Sequence, residues 1–205
     1  RQNPRLESSG SYCMQKLVLA SSSPFRREIL DKLRLTYETH SPDIDESPLT
    51  DETPNALVAR LAQQKAEAVT NVYPEALVIG SDQVAVLDGK IMGKPHSHEN
   101  AFKQLENASG RKVTFLTGLS LYNTVTGHSQ TEVVPFTVYF RELKPELIEN
   151  YLHAEQPYNC AGSFKSEGLG IVLFEKLEGD DPNTLIGLPL IRLIRMLENE
   201  GVQVI

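Results

Sequence analysis

An aspartate directly after a short apolar run is the residue whose position in this chain most strongly indicates chemistry. Asp82 follows residues 76–80, a run typical of a buried strand. In α/β sheets ligands bind beyond the carboxyl ends of such strands, and a carboxylate there can serve as a general base or a metal ligand. The position also suits an aspartate that only caps a turn. We expect Asp82 to be catalytic and to share in holding a metal ion.

A small polar loop before a predicted helix is the first candidate phosphate site. Residues 20–27 (ASSSPFRR) join a buried strand to this helix, where free backbone N–H groups and the positive end of the helix dipole meet. Arg26 in the first turn would add a bidentate donor for phosphate oxygens. Ser23 is the predicted N-cap, so the segment is also consistent with a helix cap and solvated arginines.

Two lysines and one acidic loop complete the set of candidates. Lys65 falls on or near the apolar stripe of its helix, where a lysine either reaches back to water or points into a cleft. Lys94 stands between a glycine and a proline, which present it from a defined position, although such a triplet is most often just a strand end. Glu46 is central in the acidic loop at residues 43–54, which is either a solvated turn or a source of hard oxygen ligands for a divalent cation.

Composition limits the classes of protein to consider. The chain has 205 residues, 40% of them hydrophobic and 23% charged, which is typical of a globular protein. Its formal net charge of −7 argues against a large surface for nucleic-acid polymers, while a few local cations suffice for one nucleotide. Cys13 and Cys160 have neither metal-ligand spacing nor a disulfide framework, so we expect a reducing compartment, the cytoplasm. No apolar run has the length of a membrane span.

The pattern of elements predicts an α/β protein with a mixed β-sheet flanked by helices. Strands are predicted at residues 17–21, 37–42, 76–80, 84–87, 90–92, 113–122, 132–140 and 171–174, and helices from residue 24 and at 54–68, 97–108, 145–154 and 190–197. Residues 1–13 are expected to be a flexible leader that is not native, with a genuine N-terminal extension as the alternative. Residues 14–205 are expected to form a single domain with two lobes around a cleft.

Taken in order, the segments ASSSPFRR, IGSDQV, MGKP and GSFKSEG resemble the Maf-like nucleotide pyrophosphatase family from Met14 to the C-terminus. This resemblance implies an elongated fold of the inosine-triphosphate-pyrophosphatase type with a deep cleft between two lobes. It also implies a divalent cation (magnesium, manganese or cobalt), and a homodimer as a guess. The family's functional residues fall on Asp82 for catalysis, on Ser23, Arg26, Lys65 and Lys94 for phosphate binding, and on Glu46 and Asp82 for the metal.

Three positions distinguish subfamilies within this resemblance. Many members have arginine, threonine and glutamine where this chain has Phe25, Gln83 and Glu167, and those members look like dTTP and UTP pyrophosphatases. The residues present here resemble the subfamily acting on 7-methyl-GTP. N7-methylated guanine is cationic, so Phe25 could offer it a π-face and Glu167 could accept hydrogen bonds from its N1–H and 2-amino groups.

The predicted reaction is therefore hydrolysis of 7-methyl-GTP to 7-methyl-GMP and pyrophosphate. Two alternatives stay open at the level of sequence. One is a pyrophosphatase for dTTP, UTP or another modified nucleotide. The other is a non-catalytic nucleotide-binding regulator of cell division, since the family is named after a septum-formation phenotype. The expected partner is in each case a small nucleotide, not a nucleic-acid polymer or a membrane.

Overall fold

The structure is a computed structural model that describes residues 15–205. The expected leader at residues 1–13 and the expected start at Met14 lie outside the described residues. The strands are β1 (Lys16–Leu19), β2 (Glu38–Thr39), β3 (Ala76–Leu87), β4 (Lys90–Met92), β5 (Lys112–Asn123), β6 (Ser129–Phe140) and β7 (Phe174–Glu178). The helices are α1 (Pro24–Asp31), α2 (Pro54–Glu67), α3 (His98–Ala108), α4 (Pro145–Glu155), α5 (Asn183–Ile186) and α6 (Leu190–Asn199).

All seven strands form one mixed sheet in the order β2-β1-β3-β5-β6-β7, with β4 also paired to β3. The first three strands of this order run parallel, and every other pairing is antiparallel. The pairing of β5 with β3 on one side and with β6 on the other forms the long antiparallel ladders. The predicted α/β class with a mixed, helix-flanked sheet is confirmed.

The central strand β3 changes its neighbour halfway along. Its partner β1 ends where Leu19 lies opposite Ile79, and its partner β4 begins where Met92 lies opposite Ala85. Within the described residues, positions 80–84 of β3 therefore have a strand partner only in β5. This leaves a gap in the sheet between the carboxyl end of β1 and the start of β4, and the polar residues Ser81, Asp82 and Gln83 of β3 lie beside that gap.

The sequence prediction that the strand ends before Asp82 is wrong. Strand β3 continues through Asp82 because β5 pairs with it without interruption from Leu77 to Val86. The polar residues that suggested a strand end mark the loss of β1 as a neighbour instead. Asp82 nevertheless lies beyond the carboxyl end of the parallel strand β1, which is the kind of position in which α/β proteins bind ligands.

Separate hydrophobic cores lie on the two sides of this gap. One core packs the C-terminal half of β3 and the N-terminal half of β5 against α3 and α4, through residues such as Ala85, Phe115 and Tyr151. On the other side of the gap, Ile79 and its neighbours pack against α1 and α6, and Val78 packs on the opposite face of the sheet. This arrangement agrees with the expected two lobes, and it anchors the polar middle of β3 from both ends.

Two predicted strands differ from the observed elements. The run at residues 171–174 forms the end of a 3₁₀ turn, Leu169–Leu173, and β7 starts only at Phe174. Leu173 alone of the turn's large apolar side chains enters the core, whereas Ile171 is 57% exposed, so the apolar run does not mark a buried strand. The predicted strand at 37–42 shrinks to β2 because β1 pairs with it through only Val18 and Leu19.

Among residues 15–205, no helix combines the length and the apolar composition needed to cross a membrane.

Candidate active site

The side chains of Asp82, Lys65 and Glu46 form one charged cluster at the gap in the sheet. The ammonium nitrogen of Lys65 lies 2.8 Å from Oδ1 of Asp82 and 2.7 Å from Oε1 of Glu46. Lys65 and Asp82 keep only 12% and 14% of their side-chain surface exposed, whereas Glu46 keeps 60%. A partly desolvated lysine thus holds two carboxylates, one anchored in the sheet and one on an open loop.

Helix α2 can deliver Lys65 to this place because it packs unusually close to the sheet. A Cβ atom at Gly80 would overlap the carbonyl oxygen of Ala62, so only glycine permits this contact. Asp82 lies two residues further along the same face of β3, and Lys65 lies nearly one helical turn beyond Ala62. The pairing of the lysine with the aspartate therefore follows from the backbone contact at Gly80.

Arg26 enters the site from the first turn of α1. Ser23 caps this helix as predicted, its hydroxyl accepting a hydrogen bond of 3.3 Å from the backbone N–H of Arg26. Burial lowers the pKa of the Arg26 guanidinium, and the negative charges of Asp82 and Glu46 act in the opposite direction. Arginine stays protonated in proteins, so a desolvated cation faces both carboxylates.

Ser23, Arg26, Glu46 and Lys65 line an open pocket of about 400 Å³, and Asp82 lies beside it. This volume is within the range of small-molecule sites. The lining combines the loop after β1, the acidic loop and the residues just described: Ala20, Ser21, Ser22, Ser23, Arg26, Ser41, Pro42, Asp43, Ile44, Glu46, Lys65 and Ser81. The lining has five serine hydroxyl groups, two cations and two carboxylates, a set that suits a phosphate chain accompanied by a divalent cation.

The opposite face of β3 carries a second polar group that supports the site. Gln83 Nε2 lies 2.9 Å from the carbonyl oxygen of Thr184, 3.2 Å from that of Leu185 and 3.0 Å from Oγ1 of Thr117. The amide nitrogen of Gln83 therefore ties α5 to the sheet. A direct contact of Gln83 with the base of a substrate stays a prediction.

The backbone carbonyl of Gly187 connects α5 to the charged cluster, a role that the sequence analysis missed. Its oxygen accepts a hydrogen bond of 2.8 Å from Nε of Arg26 and one of 2.9 Å from Oγ of Ser81. Ser81, Asp82 and Gln83 are three consecutive polar residues in an otherwise apolar run. Because side chains alternate between the two faces of a strand, this was a sign that both faces carry polar contacts.

Asp181 fixes the segment that contains Gly187. This buried carboxylate accepts hydrogen bonds of 2.9 Å from the backbone N–H of Asn183 and from that of Ile191, in the first turn of α6. These contacts hold α5 and α6 in a fixed relation, which in turn positions the carbonyl that holds Arg26.

Lys94 and Glu167 both act on the charge of Cys160, on the other lobe. Burial raises the pKa of the Cys160 thiol, Lys165 and Lys94 act against this rise, and Glu167 adds to it. Lys94 is exposed and follows β4 at the end nearest the gap. The phosphate and base contacts expected of Lys94 and Glu167 stay predictions.

Phe25 belongs to the first lobe and precedes Arg26 in α1. Its side chain is 45% exposed, an unusual state for a large aromatic residue and one that leaves its ring accessible to a ligand.

Of the residues predicted for the site, Ser23, Arg26, Glu46 and Lys65 line one pocket, and Asp82 lies beside it. Stacking of Phe25 on a base stays a prediction.

The donor set of the pocket fits a hard divalent cation that arrives with a phosphate chain. Glu46 and Asp43 line the pocket, and Asp82, which is paired with Lys65, offers a further carboxylate beside it. Magnesium is commonly held by one or two carboxylates, with phosphate oxygens and waters as its other ligands. Asp45 is engaged elsewhere, because it accepts a hydrogen bond from Ser47, and this contact lowers its pKa.

Comparison with known proteins agrees with the motifs. The model of the Maf-like protein family matches residues 16–200. A 7-methyl-GTP pyrophosphatase of Pseudomonas savastanoi pv. phaseolicola is 61% identical over 191 residues, which cover 93% of this chain and 100% of that protein. A protein of the same name from Alcanivorax borkumensis is 62% identical over 187 residues, 91% of this chain and 95% of that protein. With its motifs, its mixed sheet and these matches in agreement, the chain belongs to the Maf-like protein family.

Proposed function

We propose that this protein is a nucleoside triphosphate pyrophosphatase that hydrolyses 7-methyl-GTP to 7-methyl-GMP and pyrophosphate. The observation that carries the proposal is the pairing of Asp82 with Lys65 at 2.8 Å beside a pocket that also contains Arg26. The names of the similar proteins, which match over nearly their whole length, support the choice of substrate. The presence of Phe25, Gln83 and Glu167 agrees with that choice.

In the proposed reaction a water molecule attacks the α-phosphorus. A bond forms between the water oxygen and phosphorus, the bond from phosphorus to the α–β bridging oxygen breaks, and pyrophosphate leaves with the bonding electrons. Asp82 accepts the proton of the attacking water as a general base. Its backbone lies in a strand anchored by a core at each end, so the carboxylate needs little reorganisation before reaction.

The cations of the site would bind the triphosphate and stabilise charge that develops during bond cleavage. Lys65 and Arg26 are both partly desolvated, which strengthens their interaction with phosphate oxygens. The cap at Ser23 leaves backbone N–H groups at the start of α1 beside the same pocket. Lys94 would approach from the other lobe when the substrate spans the gap.

We further propose that Asp82 and Glu46 hold the divalent cation, magnesium, manganese or cobalt. Such an ion, when bound, would polarise phosphate oxygens and neutralise part of their charge. Lys65 contacts one oxygen of each carboxylate, which holds Asp82 in position and brings Glu46 near it. Glu46 lies on an exposed loop, so this ligand can adjust its position to the substrate.

Recognition of the base is proposed to depend on charge. Phe25 would stack on the cationic 7-methylguanine ring, where an arginine would repel it. Glu167 would accept hydrogen bonds from the N1–H and 2-amino groups of that base. A pyrimidine that presents a carbonyl oxygen there would gain nothing from a carboxylate.

The proposed place of action is the cytoplasm, which would keep Cys160 reduced. The ligand is a small nucleotide, and the net charge of −7 gives no support to a partner that is a nucleic-acid polymer. Assembly as a homodimer stays a prediction from the family resemblance.

A comparison of kcat/KM for 7-methyl-GTP, GTP, UTP and dTTP tests the proposal, with pyrophosphate release measured in the presence and absence of Mg²⁺ or Mn²⁺. We expect metal-dependent release and the highest kcat/KM for 7-methyl-GTP. A preference for UTP or dTTP would overturn the choice of substrate. Tight nucleotide binding without release would favour a non-catalytic regulator and would overturn the enzymatic proposal itself.

A further inference from the structure

A cluster of two histidines and one glutamate lies away from the pocket, where α3 meets α4. Glu149 and His153 stand four residues apart on α4 and so share one face of that helix. His98 is the first residue of α3. Both Nε2 atoms approach the same carboxylate oxygen, Oε2 of Glu149, at 3.0 Å from His98 and 3.3 Å from His153.

The spacing of these donor atoms matches that of metal ligands. Two donors that each lie about 2.0–2.1 Å from a tetrahedral ion are about 3.3 Å apart, close to the separations found here. The three donor atoms lie within 4.8 Å of one another. The two imidazole rings are 5.1 Å apart at their centroids, with an angle of 30° between their planes.

Tyr158 provides the kind of outer contact that orients a ligating histidine. Nδ1 of His98 lies 2.8 Å from the hydroxyl oxygen of Tyr158. A hydrogen bond donated by Nδ1–H to this oxygen leaves the lone pair on Nε2, the atom that faces Glu149. Ligating histidines commonly donate their other ring N–H in this way.

The cluster is accessible to an ion from solvent. The side chains of His98, Glu149 and His153 are 37%, 43% and 72% exposed. Three protein ligands leave at least one coordination position for water. Imidazole nitrogens favour zinc and its neighbours in the transition series over magnesium, so the chemistry of this cluster differs from that of the all-oxygen donors Glu46 and Asp82.

We propose that His98, Glu149 and His153 bind a divalent transition-metal ion of the zinc class at the junction of α3 and α4. The bound ion joins the start of α3 to α4 through three side chains. The same junction braces the loop that carries Lys94, because the backbone N–H of His96 donates a hydrogen bond of 2.9 Å to the carbonyl oxygen of Tyr158. Metal binding therefore stabilises this lobe and restrains the Lys94 loop, and it does not depend on the proposed pyrophosphatase activity.

Zinc titration of the full chain without an affinity tag tests the site by isothermal calorimetry and by NMR of the histidine rings. We expect shifts of the imidazole signals of His98 and His153 at one equivalent, while those of the exposed His128 stay in place. A Zn²⁺ concentration a hundredfold above Kd should raise the Tm by roughly 5–10 °C. Because ring signals report the location directly, zinc bound by Glu46 or Asp82 would be recognised as separate.

Matched variants complete the test. His98→Ala and His153→Ala should each weaken zinc binding at least tenfold, and Tyr158→Phe should weaken it by roughly tenfold through the lost outer contact. His128→Ala removes an exposed histidine on another turn and should bind zinc like the wild type. Circular dichroism verifies that each variant is folded. Unchanged ring signals on zinc addition, or equal zinc affinity of His153→Ala and His128→Ala, would overturn the proposal.

Discussion

The backbone carbonyl of Gly187 accepts a hydrogen bond of 2.8 Å from Nε of Arg26, although 161 residues separate the two in sequence. The same oxygen accepts a second bond from Ser81, in the central strand. Arg26 is thus oriented by a helix junction near the C-terminus and not by its own helix alone. Since a guanidinium binds phosphate through a rigid fork, its orientation decides how well it can meet the substrate.

Gly187→Ala should impair the site through Arg26. Gly187 has φ of 130°, and an added Cβ would lie 3.2 Å from Nε of Arg26, so the guanidinium must shift. We expect kcat/KM to fall roughly 10- to 100-fold, since displacement of a positioning group by about 1 Å costs that much. Gly127→Ala is the control, because its φ of 73° imposes strain where a Cβ meets nothing. Equal kcat/KM values in the two variants would refute this role of Gly187.

Gln83→Met should lower activity toward every triphosphate by a similar factor. The substitution removes the amide that ties α5 to the sheet and leaves the carbonyl oxygens of Thr184 and Leu185 without that donor. We expect a loss of about 1–3 kcal/mol in the free energy of unfolding, measured by urea denaturation. Gln203→Met, at an exposed position, should change neither the activity nor the free energy of unfolding. An unchanged free energy of unfolding would contradict this structural role, and an additional selective loss for 7-methyl-GTP relative to GTP would support the predicted contact of Gln83 with the base.

Phe25→Arg should reduce the preference for 7-methyl-GTP over UTP. The added charge repels a cationic base, and the lost cation–π contact accounts for roughly a 2- to 30-fold change in the ratio of the two kcat/KM values. Val125→Arg adds the same charge at a 60% exposed position on the distant turn between β5 and β6 and should leave the ratio unchanged. An unaltered ratio in Phe25→Arg would remove Phe25 from base recognition.

The reactivity of Cys160 can report whether Lys94 and Glu167 are its neighbours. Its pKa lies above the ordinary value, because burial raises it and Glu167 adds to the rise while Lys165 and Lys94 oppose it. Glu167→Gln removes a negative charge that disfavours the thiolate, so the pH midpoint of alkylation should move down. Lys94→Met removes a positive charge and should move the midpoint up. The midpoint is measured from the rate of iodoacetamide reaction as a function of pH, in a Cys13→Ser background. Midpoint shifts of the same sign in the two variants would contradict the placement of Lys94 and Glu167 near Cys160.

The alternation of strands and helices and most helix starts could be predicted from local residues. Ser23 and Thr53 cap their helices with hydrogen bonds to the backbone, and Asp88 and Gly89 form the turn between β3 and β4 with positive φ values. Such features depend on a few adjacent residues. The sequence therefore contained enough information to predict them without knowledge of the fold.

The errors arose where distant segments decide the local structure. Strand β3 extends past Asp82 only because β5 pairs along its whole length, and the gap beside it exists because β1 is short. The contact of Gly187 with Arg26 joins opposite ends of the chain and has no counterpart in local spacing. The grouping of Asp82, Lys65 and Arg26 was predicted from the family resemblance, since the residue pattern alone gave no distances between them.

The catalytic role of Asp82 is tested most directly by single-turnover kinetics of Asp82→Asn with 7-methyl-GTP at saturating metal. Asparagine preserves the size of the side chain and can still accept a hydrogen bond from Lys65, but it is a far weaker base. Asp88→Asn, in the turn at the far end of the same strand, is the matched control and should react like the wild type. We expect Asp82→Asn to lower the rate of bond cleavage by roughly 10²–10⁴ while nucleotide affinity changes little. Cleavage at close to the wild-type rate would contradict the assignment of Asp82 as the general base.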